Sequence, residues 1–328
     1  MSDLAPVIET RLLRKIYRGA KFAAVESLDL SVATGQVFGF LGPNGAGKTT
    51  TIGMLLGNVF PTSGSATVLG KPIGDRNTRR SVGYLPEKFQ FHEFLSATEF
   101  LDMHGQLYGM SVGDRRRRIP EVLEIVGLLS RAKDKLGAFS KGMQQRAGLA
   151  QAILHEPRLV ILDEPTSALD PLGRRAVRDI VLYLKGRGTT VLLNSHLLSE
   201  IEMTCDTVAI IKRGQIVRQG TVDEITTPVS SVTIALEAIT PAVLEAASRF
   251  GTVNPSAVTE DRSTSEDRLD SLSDVSEITV RLSGGTVAKT PYLVASLVSA
   301  GARVRSVVPV RESLEDAFVR VMAEGDAA

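Results

Sequence analysis

Short runs of unbroken apolar residues at Val37–Leu41, Leu159–Leu162, Thr190–Leu193 and Val208–Ile211 punctuate the first two thirds of the chain. Runs of this length suit strands buried on both faces of a parallel sheet. Ahead of them, residues 7–36 alternate apolar and polar positions in short stretches (Val7–Leu13, Ala23–Leu30), the pattern of antiparallel strands with one wet face. Between the runs lie helical patterns. Arg174–Lys185 places apolar residues at 177, 180, 181 and 184, one face of a helix, and residues 92–155 read as mostly helical. The pattern predicts a doubly wound α/β core with a β-rich flap and a helical insertion.

After Gln219-Gly220-Thr221 the texture changes. Ser231–Leu236, Ile278–Leu282 and Val304–Val310 read as strands, and Pro241–Arg249, Thr290–Ala300 and Leu314–Met322 as helices. Glu260–Glu277 is acidic and serine-rich and reads as a loop. Residues 228–328 are therefore expected to form a small α/β domain, which agrees with a length of 328 residues being more than one ordinary domain.

Composition narrows the class. A 43% hydrophobic content suits a packed globular chain. With 38 basic and 37 acidic residues the net charge is +1, so no global field favours nucleic acid or an acidic membrane. Cys205 is the single cysteine, which rules out an internal disulfide and fits a reducing compartment. The start, Met1 to Pro6, lacks a basic-then-apolar secretion pattern, and no stretch approaches the ~20 apolar residues that span a bilayer. A membrane connection is expected only through a partner.

The chemistry begins directly after Val37–Leu41, with Gly42-Pro43-Asn44-Gly45-Ala46-Gly47-Lys48-Thr49-Thr50. A strand, a glycine-rich loop and a helix in that order let backbone N–H groups wrap the phosphates of a nucleotide. Lys48 supplies a positive charge at the β/γ-phosphates, and the Thr49 hydroxyl is placed for Mg²⁺. A helix opening at about Gly47 adds its positive dipole end. Asp163-Glu164 follow a second buried run at the carboxyl end of its strand, where open α/β sheets bind ligands. Asp163 is a candidate metal ligand and Glu164 a candidate general base or water-orienting group. Ser140, in Phe139-Ser140-Lys141-Gly142-Met143-Gln144-Gln145-Arg146, is a good helix N-cap. With the Gly142 amide it forms either an anion-binding surface or an ordinary capped helix.

The order of these motifs resembles the ATP-binding cassette (ABC) proteins over residues 7–226. The matching elements are GPNGAGKTT, FSKGMQQR, LVILDEP, Ser167-Ala168-Leu169-Asp170, and His196 in LNSH. The resemblance implies a P-loop NTPase core with antiparallel β and helical subdomains, followed by the small C-terminal α/β domain of 228–328. It implies ATP and Mg²⁺ as cofactors and a head-to-tail dimer of cassettes, homodimeric or heterodimeric. Each ATP would lie between the phosphate loop of one subunit and Ser140 and Gly142 of the other. It further implies that Asp170 couples the two sites, that His196 contacts the γ-phosphate and attacking water, and that Tyr17 stacks on adenine. The signature departs from the commoner LSGGQ, yet keeps Ser140 and Gly142. Glu87, after Gly83-Tyr84-Leu85-Pro86, stands where many members carry a glutamine that touches Mg²⁺, with Gln90 the alternative.

Three functional classes follow. The first is the energising subunit of a membrane transporter, cytoplasmic and held at the inner membrane face by an integral permease. Phe89–Leu101, with Phe89, Phe91, Phe94 and Phe100, matches the region that docks such a permease, or else forms core of the helical insertion. Glu312-Ser313-Leu314-Glu315-Asp316-Ala317-Phe318 resembles the SLED-x-F ending of ATPases serving ABC-2 type exporters, so export is preferred. The second class is a soluble cassette ATPase acting on ribosomes or nucleic acid. One cassette, no heptads, no cysteine cluster and no basic bias disfavour it, and no nucleic-acid partner is expected. The third is a nucleotide-dependent scaffold, disfavoured by intact Lys48, Asp163, Glu164 and His196. Leu282-Ser283-Gly284-Gly285-Thr286 mimics the signature but follows a strand and reads as a turn. Arg115–Arg118 reads as a solvated face, and His92, His104 and His155 as structural.

Overall fold

The computed structural model describes residues 5–167, 169–226, 231–256, 276–282, 289–310 and 312–324. The chain divides into two compact units, one running to Ile225 and resuming at Phe318, the other Thr226–Ala317. The first unit is built in chain order from β1 (Ile8–Lys15), β2 (Val25–Leu28), β3 (Ser31–Val32), β4 (Val37–Leu41), α1 (Lys48–Leu55), β5 (Ser63–Val68), β6 (Lys71–Pro72), α2 (Arg76–Arg79) and β7 (Val82–Leu85). It continues with α3 (Ala97–Leu107), α4 (Val112–Ile125), α5 (Lys141–Ile153), β8 (Leu159–Asp163), α6 (Pro171–Gly186), β9 (Thr190–Asn194), α7 (Leu198–Thr204), β10 (Thr207–Lys212), β11 (Gln215–Thr221) and α8 (Val222–Ile225).

Its sheet runs β6-β5-β1-β2-β11-β10-β4-β9-β8-β7, with β3 added to β1. Strands β10, β4, β9, β8 and β7 pair in parallel, whereas β1 pairs antiparallel with β2, β3 and β5. The division follows burial. Every residue of β4, β8 and β9 is buried, as parallel strands covered on both faces require, while β1 mixes buried and exposed positions, its alternation broken at Leu12, which is exposed at φ 48. Burial of each large aliphatic or aromatic side chain stabilises by about 1.5–3 kcal/mol. The helical region 97–155 carries α3, α4 and α5. Helix α6 buries Val177, Ile180, Val181 and Leu184, the stripe that its sequence marks.

Several local expectations need correction. Strands β5 and β7 carry no continuous apolar run: Ser63, Gly64, Ser65 and Thr67 leave β5 mostly polar, and Gly83 interrupts β7. A Cβ on Gly83 would stand 2.0 Å from Ala152 O, so α5 approaches β7 too closely for any side chain there. Arg115–Arg118 is not a uniform solvated face. Arg115 pairs with Asp102 at 2.6 Å and Arg118, 8% exposed, with Glu121 at 2.9 Å, while Arg117 stays exposed. Phe89, Phe91 and Phe100 cluster edge to face, and only Phe94 of the four aromatics is exposed.

The second unit contains β12 (Ser231–Leu236), α9 (Pro241–Ser248), β13 (Gly251–Ser256), β14 (Ser276–Leu282), α10 (Thr290–Ser299) and β15 (Val304–Val310). The antiparallel order β13-β14-β12-β15 with a βαββαβ succession is the split βαβ arrangement. Val232, Ile234, Leu236, Ile278 and Val280 form its core with Val243, Leu293 and Leu297. Strand β13 was not marked by apolar alternation in Gly-Thr-Val-Asn-Pro-Ser. Of the acidic segment, residues 260–275 lie outside the described residues, as do Ser283–Thr286; Ser276 and Glu277 begin β14. The last helix, α11 (Leu314–Glu324), starts in the second unit, and from Phe318 onward the chain groups with the first, not with the expected domain 228–328. Arg320 donates to Ile225 O at 3.2 Å and Lys212 Nζ to Met322 O.

Helices start where the sequence supplies caps. Ser96 and Glu99 form a reciprocal capping box at α3, with Lys135 Nζ 3.1 Å from Glu99. Ser96→Ala is expected to cost about 0.5–2 kcal/mol at pH 7, read as a urea midpoint. The hydrogen bonds from Ser96, then that from Lys135, hold the Glu99 carboxyl down to about 2 from 4.5. Its folded value lies below its unfolded value, so this stabilisation is present above about 4.5 and lost as pH falls toward about 2. The difference between wild type and S96A should shrink over that window.

Candidate nucleotide site

The parallel register decides which loops meet. Phe40 of β4 and Asp163 of β8 both stand opposite Asn194 of β9, and Leu162 stands opposite Leu85 of β7. The segments after these strands, Gly42–Thr50, Glu164, Ser195-His196 and Pro86-Glu87, therefore all leave one carboxyl edge, the edge where such sheets bind ligands.

The glycine-rich loop is held from outside. A Cβ on Gly42 would lie 2.4 Å from Ile211 O, and one on Gly47 2.3 Å from Ala24 O. Gly47 also has φ 104 as the residue preceding α1, a conformation that side chains resist. Ala46 N donates to Pro43 O at 3.2 Å, and Ala46 O accepts from Gly214 N at 2.9 Å, which pins the loop to the turn between β10 and β11. Pro43, Asn44 and Gly45 are exposed, as is Thr49; Thr50 is half-buried. Lys48 is 8% exposed and donates to Gly42 O at 2.6 Å and Pro43 O at 3.1 Å. Burial pulls its pKa down, against the attraction of Glu164, Asp163 and Glu87.

The acidic half is equally constrained. Asp163 is 2% exposed and accepts from Asn194 Nδ2. Burial pushes its carboxyl up, opposed by that hydrogen bond; the Glu87 charge pushes the same way as burial and Lys48 opposes it. Glu164 sits at φ 53, a left-handed backbone for a non-glycine residue, and its amide donates to Asn194 O at 2.8 Å. Backbone strain of this kind costs about 1–3 kcal/mol and concentrates at functional sites. The turn aims Glu164 Oε2 at His196 Nδ1, 2.6 Å away. An ionised Glu164 places the shared proton on Nδ1 and leaves Nε2 for another partner.

The other expected residues fall into two places. Tyr17 is half-exposed, with its hydroxyl 3.4 Å from Thr50 Oγ1 and Lys15 Nζ 5.2 Å from its ring centroid. Glu87 is exposed and its charge acts on both Lys48 and Asp163, and Gln90 is exposed as well. Ser140, Gly142 and Asp170 form a separate group. Ser140 Oγ accepts from Met143 N at 3.3 Å at the start of α5, and Asp170 Oδ1 accepts from Gly173 N at 2.7 Å at the start of α6. A Cβ on Gly142 would lie 3.4 Å from Leu169 Cδ2, so the two helix starts adjoin. Ala168 lies outside the described residues. The residue missed by sequence reasoning is Asn194, whose signal is a polar side chain ending an otherwise apolar buried strand.

Among the described residues no group of three His, Cys, Asp or Glu is poised for a metal, and no helix is long and apolar enough to cross a membrane. The oxygen donors at the edge, namely Thr49, Asp163 and Glu87, suit a hard cation that completes its shell with phosphate oxygens and water.

Comparison with known proteins agrees with this geometry. The family model described as ABC transporter matches residues 25–167. An ABC transporter ATP-binding protein of Synechocystis sp. is 47% identical over 228 residues, 67% of this chain and 64% of its own length. The chain thus spans just under two thirds of that relative. The bacitracin transport ATP-binding protein of Bacillus licheniformis is 42% identical over 66% of this chain and 70% of its own. A solved ATP-binding subunit of an ABC transporter superposes with a TM-score of 0.61 at 33% identity, covering 67% of this chain and 91% of its own.

Gly47→Ala should lower stability by about 1–3 kcal/mol from backbone strain alone and weaken nucleotide binding, read by thermal melts with and without nucleotide. Gly186→Ala, where a Cβ meets nothing within 4 Å, should be neutral or stabilising. Equal melts for G47A and wild type would refute the cradle.

Proposed function

The chain belongs to the family of ABC transporter ATP-binding proteins, and from that premise we propose that it is the ATP-hydrolysing subunit of an ABC-2 type exporter. The observation that carries the reading is Glu164 held 2.6 Å from His196 at the same edge as the lysine of the phosphate loop. The amides of Gly42–Thr50 and the start of α1 receive the phosphates, and Lys48 exchanges Gly42 O and Pro43 O for phosphate oxygens. Tyr17 offers adenine the ring face that Lys15 leaves open. Thr49, Asp163 and Glu87 would hold Mg²⁺, which when bound neutralises charge on the β- and γ-phosphates. Glu164 orients and deprotonates the attacking water. His196, its Nδ1 proton tied to Glu164, presents Nε2 as an acceptor to the attacking water beside the γ-phosphate.

Ser140, Gly142 and Asp170 complete the site of a second cassette. In this reading Ser140 and Gly142 face the partner's ATP, and adjoining Asp170 couples the two sites. Closure must favour one state of the partner by ~5.5 kcal/mol to move it from 1:99 to 99:1. A few charge-assisted hydrogen bonds at about 1.5–3 kcal/mol each suffice. An integral membrane permease receives that work, which puts the chain at the cytoplasmic face of the membrane. Relatives named for transport support this, and the Ser313–Phe318 resemblance favours export.

Glu164→Gln should leave ATP binding within a few-fold and cut turnover by ~10²–10⁴, measured by filter binding and phosphate release. Ser140→Arg should spare binding by the single subunit while abolishing hydrolysis; full hydrolysis by S140R would reject the shared site. Purification from detergent extracts should retain a membrane protein, whereas retention of rRNA or DNA would replace the transporter reading.

A further inference from the structure

Asn194 touches both acidic residues of the site. Its backbone oxygen accepts from Glu164 N at 2.8 Å, and its side-chain Nδ2 donates to Asp163 Oδ1. The residue is 2% exposed, at the end of β9 between the strands that launch the phosphate loop and the acidic pair. An ionised carboxylate accepts only, so the amide nitrogen must face Asp163 and the amide oxygen must face away. That Oδ1 is buried and no described residue donates to it. Buried acceptors are rarely left without a donor, because the missing bond is costly. Of the adjoining charged side chains, Lys48 directs its hydrogen bonds to the loop carbonyls of Gly42 and Pro43, and Glu164 and Asp163 only accept when ionised. Oδ1 is therefore open to accept from what the site binds.

We propose that Asn194 is a positioning residue for the divalent cation, its Oδ1 accepting from a water on that ion while its Nδ2 fixes Asp163. The inference rests on the reading that ATP and Mg²⁺ occupy this edge. A neutral oxygen suits the task, since a further carboxylate would add to the charges of Asp163, Glu164, Glu87 and the γ-phosphate. Groups that orient a metal ligand in this way typically govern affinity by 10–100-fold.

The test compares full-length wild type with N194L, close in size but with neither donor nor acceptor, by binding of a fluorescent ATP analogue in Mg²⁺ and in EDTA. For wild type, Mg²⁺ should tighten binding; no binding in either condition would overturn the nucleotide-site reading itself. For N194L, the Mg²⁺-dependent gain should shrink about tenfold or more while affinity in EDTA is unchanged. A full Mg²⁺ gain, or an equal loss in both conditions, overturns the proposal and leaves Asn194 a strand tie. Should N194L melt before assay temperature, N194S is read instead: its shorter side chain carries one polar atom where the amide has two and does not span both partners, so a partial Mg²⁺-specific loss supports the role and an unchanged gain overturns it.

Discussion

The register that sets Phe40, Asn194 and Asp163 in one row across three parallel strands is the constraint from which the rest of the site follows. Strand pairing has a side-chain period of two, so a slip of one residue would turn Asp163 toward the opposite face of the sheet. The continuous burial of β4, β8 and β9 fixes how far each strand extends, and their carboxyl ends then deliver loop, acid and histidine to one line. The placement of these residues is a by-product of core packing. Little of it depends on the exposed residues themselves.

Burial also sets the electrostatics. Lys48 and Asp163 are both nearly inaccessible, and desolvation drives each toward its neutral form: the lysine pKa falls and the aspartate pKa rises. Their mutual attraction and local hydrogen bonds oppose this, through the loop carbonyls for Lys48 and Asn194 for Asp163. Each group is thus held by contacts that an incoming anion or cation can replace. A site whose charges are already desolvated loses less on closing around a triphosphate, which is what preorganisation means in energetic terms. Glu164 adds backbone strain to the same line, maintained by the Asn194 carbonyl and directed at His196.

Legibility from sequence tracked how local each signal was. The phosphate loop and LVILDEP are contiguous, and β4, β8, β9 and β10 are unbroken apolar runs, so local pattern sufficed. Strand β7 was hidden because Gly83 stands where a packed strand usually shows a side chain, and the reason, the approach of α5 at Ala152, is tertiary. Arg115 and Arg118 looked like surface because their partners are remote, Asp102 on α3 and the carbonyls of Ile153 and Leu154 at the end of α5. Asn194 was quoted within a motif for the histidine beside it, yet its contact with Asp163 comes from a strand 31 residues away. Motifs name residues; register gives them neighbours.

The C-terminal motif shows the same division from the other side. Ser313 and Asp316 are reciprocally bonded, Ser313 N donating to Asp316 Oδ2 at 3.3 Å and Asp316 N donating to Ser313 Oγ at 3.1 Å. That is a capping box, which gives Ser313 and Asp316 a local structural role at the start of this helix. Leu314 and Ala317 are buried, which gives the intervening positions a packing reason. The chain passes from one compact unit to the other between Ala317 and Phe318, within the motif itself. The capping pair and the buried Leu314 and Ala317 thus account locally for how this helix starts.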